Sequence, residues 1–209
     1  MVLNRFDRLG LMVAAILTCG MLCDPAPPTR AQAPAHTSLA GQLLIAVPGM
    51  ADPRFQRSVI LMVRHDQTGA FGIVINRPVT ERPLAGLLEA LGDTDARVTG
   101  TVRIFYGGPV QPEIGFVVHS AEYRGPETIA IEGGLAVTSS REILRDMGSS
   151  KGPLKTLVAF GYAGWGPGQL EGELARRSWF LAPADAALVF DEERDKVWDA
   201  AMTRRTQDL

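Results

Sequence analysis

With 209 residues, 46% of them apolar, the chain is long enough to bury one sizeable core and short for two. Its 23 acidic and 21 basic side chains are interspersed and leave a formal charge of −2, which gives no broad basic field for a nucleic-acid backbone. The only cysteines, Cys19 and Cys23, precede the folded part, so thiol catalysis and a disulfide framework are excluded there.

In chain order, Arg5 and Arg8 precede the apolar run from Leu9 to Leu22, and Ala31-Gln32-Ala33 supplies a small-x-small cleavage site. This is the pattern of a signal peptide over residues 1–33. The run is short for a membrane-spanning helix, and the proline-rich stretch after Asp24 does not extend it. The expectation is therefore a periplasmic or secreted protein without a transmembrane segment in its mature part. Two alternatives stand beside it. One is a lipid anchor at Cys19 or Cys23, for which Thr18 and Leu22 are poor preceding residues. The other is translation from Met21, which leaves a cytoplasmic protein.

Residues 34–38 read as a linker, 39–202 as one domain and 203–209 as a frayed tail. Gly41 to Val47 forms a first strand stopped by Pro48-Gly49. Ser58 to Val63 is nearly continuous in apolar residues, which predicts a strand covered on both faces. Gln67-Thr68-Gly69 then turns into a strand over Phe71 to Ile75, ending at Asn76-Arg77-Pro78. Pro83, Leu84, Leu87, Leu88 and Leu91 mark a covering helix closed by Gly92. Strands over Val102 to Tyr106 and Gly115 to His119 flank Gly107-Gly108-Pro109 and suggest a hairpin-like pair. A tighter hairpin is expected from Thr128–Ile131 and Leu135–Thr138 around Gly133-Gly134, with Ser139 capping a helix through Met147.

Leu157 to Phe160 reads as a strand ended in a turn by Gly161, Gly164 and Gly166. Pro167 suits the first position of a helix whose buried edge is Leu170 and Leu174. On that helix Gln169, Glu173 and Arg176 share a stripe, with Glu171 well round from them. Short apolar pieces follow around Pro183, and Asp191 is placed to cap a last helix carrying Val197, Trp198, Ala201 and Met202 on one side. Strands outnumber helices and the connections are short, so the fold class is α/β of an α+β kind, with a mixed, largely antiparallel sheet and helices around it.

The chemistry is sparse. No P-loop, GxGxxG, GxSxG or HExxH spacing is present, so no cofactor and no metal is indicated. The Gly107-Gly108 turn and the approach to Pro167 can present backbone N–H groups to an anion, or be tight turns only. His65 and His119 stand at strand ends, either facing a cleft or held as structural histidines. Arg77 can clamp an anion or bracket loop carbonyls, and Trp165 can cover a ligand or seal the core. The reading is a non-catalytic regulatory protein binding an unknown small molecule or protein in a cleft among Asn76, Arg77, Gly107, Gly108, His119 and Trp165. The enzyme alternative, hydrolase- or transferase-like, uses His119 with Glu171 or Glu173 as acid and base.

The stretches GQLLIAVPGMADPRFQRSVI, GAFGIVINRP, FYGGPV, VVHS and GYAGWGPGQLEGE followed by SWF resemble the AlgH/YqgE family from about Leu39 to Met202. The resemblance implies a bent, partly barrel-like sheet surrounded by helices. It also carries a label, transcriptional regulation of exopolysaccharide production. The sequence itself has no helix-turn-helix or basic recognition helix, and export would separate the chain from DNA.

Overall fold

The computed structural model describes residues 37–93 and 98–206, so the signal peptide, its two alternatives and most of the linker lie outside the described residues. Among the described residues ten strands alternate with short helices. They are β1 (Gln42–Ala46), β2 (Val59–Asp66), β3 (Gly69–Val74), β4 (Pro78–Pro83), β5 (Thr101–Tyr106), β6 (Val110–Ser120), β7 (Thr128–Ile131), β8 (Leu135–Thr138), β9 (Thr156–Trp165) and β10 (Trp179–Pro183). The helices are α1 (Leu84–Ala90), α2 (Glu142–Gly148), α3 (Gln169–Ala175), α4 (Ala186–Val189) and α5 (Val197–Thr203), the last entered through a 3-10 turn at Arg194–Lys196.

The sheet runs β10-β1-β2-β3-β9-β6-β8-β7, with β5 beside β9 and β4 outside β5. Its ladders are antiparallel except for β5 and β9, which run parallel from Ile104↔Val158 to Tyr106↔Phe160. In β2 the residues alternate between two cores: Val59, Leu61 and Val63 enter one, Ile60 and Met62 the other. That two-sided burial is why the run is continuously apolar. Leu43 and Ile45 of β1 meet Phe105, Val118, Leu157 and Ala159 from the other half of the sheet in one cluster, closed by Leu188, Val197 and Trp198. The sheet therefore curls into a half-barrel with that cluster inside, giving a mixed α+β fold. Each fully buried aliphatic side chain there contributes about 1.5–3 kcal/mol.

Several expectations are corrected. Gly161 does not end its strand: β9 continues to Trp165, and Gly161 sits at φ +73 where the ladder to β6 shifts register, the extra residues lying on β6 between Val110 and Gly115. The facing of the strand changes across Gly161, because Leu157 and Ala159 enter the interior cluster while Ala163 and Trp165 enter the opposite one. β5 and β6 form no hairpin; β9 lies between them. The segment Pro78–Pro83, to which no element is assigned from the sequence, is an exposed strand paired with β5, and prolines at both ends suit a sheet edge.

The caps differ as well. Ser139 does not cap α2, because its hydroxyl goes to Glu127 Oε2 at 2.8 Å and Ser140 Oγ takes the Glu142 N–H. Pro167 lies within the turn closed by Gln169 N and Gly166 O rather than opening α3, which starts after Gly168 at φ +72. Asp191 accepts from Glu193 N at 2.8 Å in the turn before α5, and the carboxylate cap belongs to Asp185 at the start of α4. The hairpins β2–β3 and β7–β8 and the burial of Leu170 follow the expected pattern.

Candidate functional site

The six residues of the expected cleft do not converge. Asn76 and Arg77 hold the loop that precedes β2. Asn76 Oδ1 accepts from Val59 N at 2.9 Å and its Nδ2 donates to Arg57 O at 2.8 Å. Arg77 donates to the carbonyls of Arg54 and Gln56, the latter at 2.6 Å. Arg57 sits at φ +54, an uncommon conformation for a residue with a Cβ, so these bonds stabilise a strained turn.

Gly107 and Gly108 make a backbone crossing instead of an anion cradle. Gly107 N donates to Phe160 O at 2.7 Å and its carbonyl accepts from Val74 N at 2.8 Å. A Cβ on Gly107 would meet Gly161 O at 2.2 Å, and one on Gly108 would meet the Tyr162 backbone at 2.0 Å. The conformational need at this point is for close approach.

His119 pairs with Thr156 at the start of β9 and is fully buried. Its Nδ1 lies 2.9 Å from the Ser120 carbonyl and must carry the proton, which leaves Nε2 to accept from Thr138 Oγ1 at 2.9 Å. The chain continues through Thr128 Oγ1 at 2.6 Å, which takes the Gly125 N–H at 3.2 Å. Every donor along it has an acceptor when the imidazole is neutral. Burial lowers the His119 pKa, against weaker opposition from the Ser120 carbonyl and Glu122.

His65 is arranged differently. Its Nδ1 accepts the Leu39 N–H at 3.1 Å, so Nε2–H donates to Glu171 Oε1 at 2.9 Å. Both ring nitrogens are engaged, and neither is aimed at a substrate position. The pairing of His119 with Glu171 or Glu173 as acid and base is not assembled: His119 is at one end of β9 and α3 follows the other, a strand length of roughly 30 Å away.

What the structure does assemble lies around Trp165. Trp165 Nε1 at 2.9 Å and Trp179 Nε1 at 2.8 Å donate to the same oxygen, Glu173 Oε2. Gln169 Nε2 donates to Oε1 at 3.2 Å, and its own Oε1 takes the Gly166 N–H at 3.1 Å. The ring of Trp179 meets Trp165 edge-on at 6.2 Å and Phe55 at 5.7 Å. The cluster floors a groove of about 510 Å³ between the loop after β1 and the end of β9, with Val110 on one wall and Arg54, Arg176 and Arg177 at the rim.

Arg54 is already committed to a two-point pair with Asp52, which holds that carboxyl below its ordinary value. Arg176 and Arg177 are exposed and form no ion pair among the described residues. Asn76 and Arg77 line a separate, shallower depression with Trp198 and Arg194, and of the six expected cleft residues only Trp165 reaches the groove. Sequence reasoning selected Trp165 and Glu173 individually but missed Trp179 and Phe55. The signal was the shared helical stripe of Gln169 and Glu173, whose side chains do bond. Among the described residues no three His, Cys, Asp or Glu side chains gather to hold a metal ion, and no helix is long and apolar enough to cross a membrane.

Comparison with known proteins agrees with this architecture. A UPF0301 protein of Rhizorhabdus wittichii is 45% identical over 168 residues, covering 80% of this chain and 90% of its own. Another from Methylococcus capsulatus is 43% identical over 167 residues, 80% of this chain and 91% of the relative. The solution structure of the AlgH protein from Pseudomonas aeruginosa superposes with a TM-score of 0.68 at 38% identity, over 83% of this chain and 92% of that one. The crystal structure of protein DIP2367 from Corynebacterium diphtheriae shares the fold at 23% identity, with a TM-score of 0.61 over 80% and 87% of the two chains. Residues 43–209 match the family described as AlgH-like, and the chain belongs to that family.

Proposed function

We propose that the chain is a non-catalytic binding protein with a regulatory role, and that its ligand is a small molecule with an anionic group and an apolar body, held in the tryptophan groove. The observation that carries this reading is the division of charge there. The floor carboxylate, Glu173, is occupied by two indoles and an amide, whereas the rim cations Arg176 and Arg177 have no carboxylate partner among the described residues. A volume of about 510 Å³ suits a small molecule, and Phe55, Val110 and the tryptophans offer it an apolar wall. An acid–base enzyme is disfavoured by the same bonds, since Glu173 and both histidines spend their polar atoms internally.

The test is a screen of small carboxylates and phosphate esters, read from the indole N–H resonances of Trp165 and Trp179. A binder should move both, and changing Arg176 and Arg177 together to alanine should weaken it about tenfold or more, the scale of a lost charge-assisted contact. A binder that leaves both indoles unmoved, or is indifferent to the double substitution, rejects the groove as the site.

A further inference from the structure

The other end of β9 carries a second hollow. β5 and β9 pair only from Ile104↔Val158 onward, so upstream of that register the parallel strands diverge. A space of about 490 Å³ opens between Thr101–Arg103, the Thr156 end of β9, and the turn that follows α2. Two guanidinium groups line it. Arg103 Nε donates to Glu81 Oε1 at 3.1 Å, and Arg103 is otherwise exposed. Arg194 lies over the Phe105 ring at 4.9 Å and donates from Nη1 to the Val189 carbonyl at 2.8 Å. Its Nε is shielded from solvent and has no acceptor among the described residues.

An unmet buried donor on a charged group is costly, and a guanidinium does not escape the cost by losing its proton. Burial lowers the proton affinity of Arg194, the charge of Arg103 acts in the same direction, and Asp191 and Glu192 oppose both. Two like charges line one polar hollow and repel each other, and a bound anion would offset that repulsion.

We propose that this hollow is a second ligand site, and that it takes a phosphate group carried by a small molecule, held between Arg103 and Arg194. A doubly charged tetrahedral oxyanion can accept from both planar guanidinium groups at once, and the hydroxyls of Thr101, Ser150 and Thr156 line the same space. The hollow is larger than phosphate alone, leaving room for the rest of the molecule. Glu81 and Glu192 also line it, which sets a limit on added charge and favours a phosphate monoester over a polyphosphate.

The probe is inorganic phosphate, titrated into the full chain at constant ionic strength, with acetate at the same concentrations as the singly charged comparison. Phosphate should shift the Nε–H resonances of Arg103 and Arg194 and the amides of Thr101 and Thr156, saturating in the low millimolar range, about −4 kcal/mol. Acetate should act at least tenfold more weakly. Arg103→Gln, at an exposed position where folding is not at stake, should weaken phosphate at least tenfold, and Arg194→Lys should weaken it while keeping the charge. Phosphate shifts that are absent from these residues, or unchanged in Arg103→Gln, overturn the site. Equal binding of acetate overturns the phosphate assignment. The indoles of the tryptophan groove report separately, so failure here leaves that reading intact.

Discussion

The two ends of β9 use charge in opposite ways. At its C-terminal end Glu173 is surrounded by donors from Trp165, Trp179 and Gln169, and the polar floor of the groove is complete without any ligand. At its N-terminal end Arg194 keeps an N–H that nothing satisfies among the described residues. A satisfied polar group fixes geometry at little net cost, whereas an unmet buried one costs about 1–3 kcal/mol. On the proposed readings, selectivity at the first end lies with the rim arginines and at the second with the pair Arg103 and Arg194.

Both ends depend on the crossing between them, where Gly107 and Gly108 pass Gly161 and Tyr162. Breaking the crossing should produce the largest effect. Gly108→Ala would place a Cβ 2.0 Å from the Tyr162 carbonyl carbon, at φ +152, with only backbone to yield. We expect a loss above about 4 kcal/mol, seen as a missing cooperative urea transition. Gly86→Ala in α1 is the control, because a Cβ there meets nothing within 4 Å and should be neutral or stabilising by up to about 1 kcal/mol. If the two variants unfold at the same urea concentration, the crossing does not hold the two ends together.

The next effect separates the ends by pH. His119, beside Thr156, has its folded pKa lowered chiefly by burial, while an unfolded histidine titrates near about 6.5. The unfolded chain therefore binds the proton first as pH falls. The stability tied to neutral His119 is complete above about pH 6.5 and is lost progressively below it, toward the folded pKa. Protonation would also force Nε2 to donate, reversing the Thr138–Thr128 chain. Urea midpoints should fall between pH 7.5 and 5, and His119→Gln should lower the midpoint at pH 7.5 while flattening that slope. Amide exchange should rise first in β6 and β8 and last in α3. A wild-type midpoint independent of pH over this range counts against the assignment.

How much of this was legible follows from the range over which each signal acts. The apolar continuity of Ser58 to Val63 reports burial on two faces because side chains alternate within the strand, and Gly133-Gly134 reports a hairpin because a turn is local. Gly161 carried the wrong message: positive φ suits a turn and a twist within a continuing strand equally, and only the close approach of Gly108, distant in sequence, decides for the second. β4 was hidden by its own prolines and its exposure, and the parallel placement of β5 required knowing that β9 would fill the gap beside it. The site was less legible. Glu173 was visible on a helical stripe, but its indole partners lie on two different strands, and nothing in the linear spacing of Trp165, Glu173 and Trp179 states that they meet. His119 was visible only as a polar residue at a strand end, where a cleft and a sealed hydrogen-bond chain look alike.

The smallest expected effect bears on the C-terminal end alone. Arg77 is outside the tryptophan groove, yet it holds the carbonyls of Arg54 and Gln56, and Arg54 and Phe55 form one side of that groove. The bonds are solvent-exposed, and Asn76 still grips Arg57 O and Val59 N when they are gone, so Arg77→Ala should cost only about 1 kcal/mol globally. Its local consequence is larger than its global one. Arg57 at φ +54 is strained, and releasing half of the bracket lets the turn relax, carrying Phe55 away from its edge contact with Trp179. Faster exchange at Phe55 N, which bonds to Asp52 O at 3.0 Å, together with a shifted Trp179 indole resonance, is the expected signature. The amides of Thr101 and Thr156 should stay where they are, because they lie at the other end of the strand; Arg194 shares a depression with Arg77 and is expected to respond. A variant that moved the Thr156 amide and left the Trp179 indole untouched would mean that the bracket supports the wrong end, and that the groove owes its shape to the tryptophans and Glu173 without help from the loop.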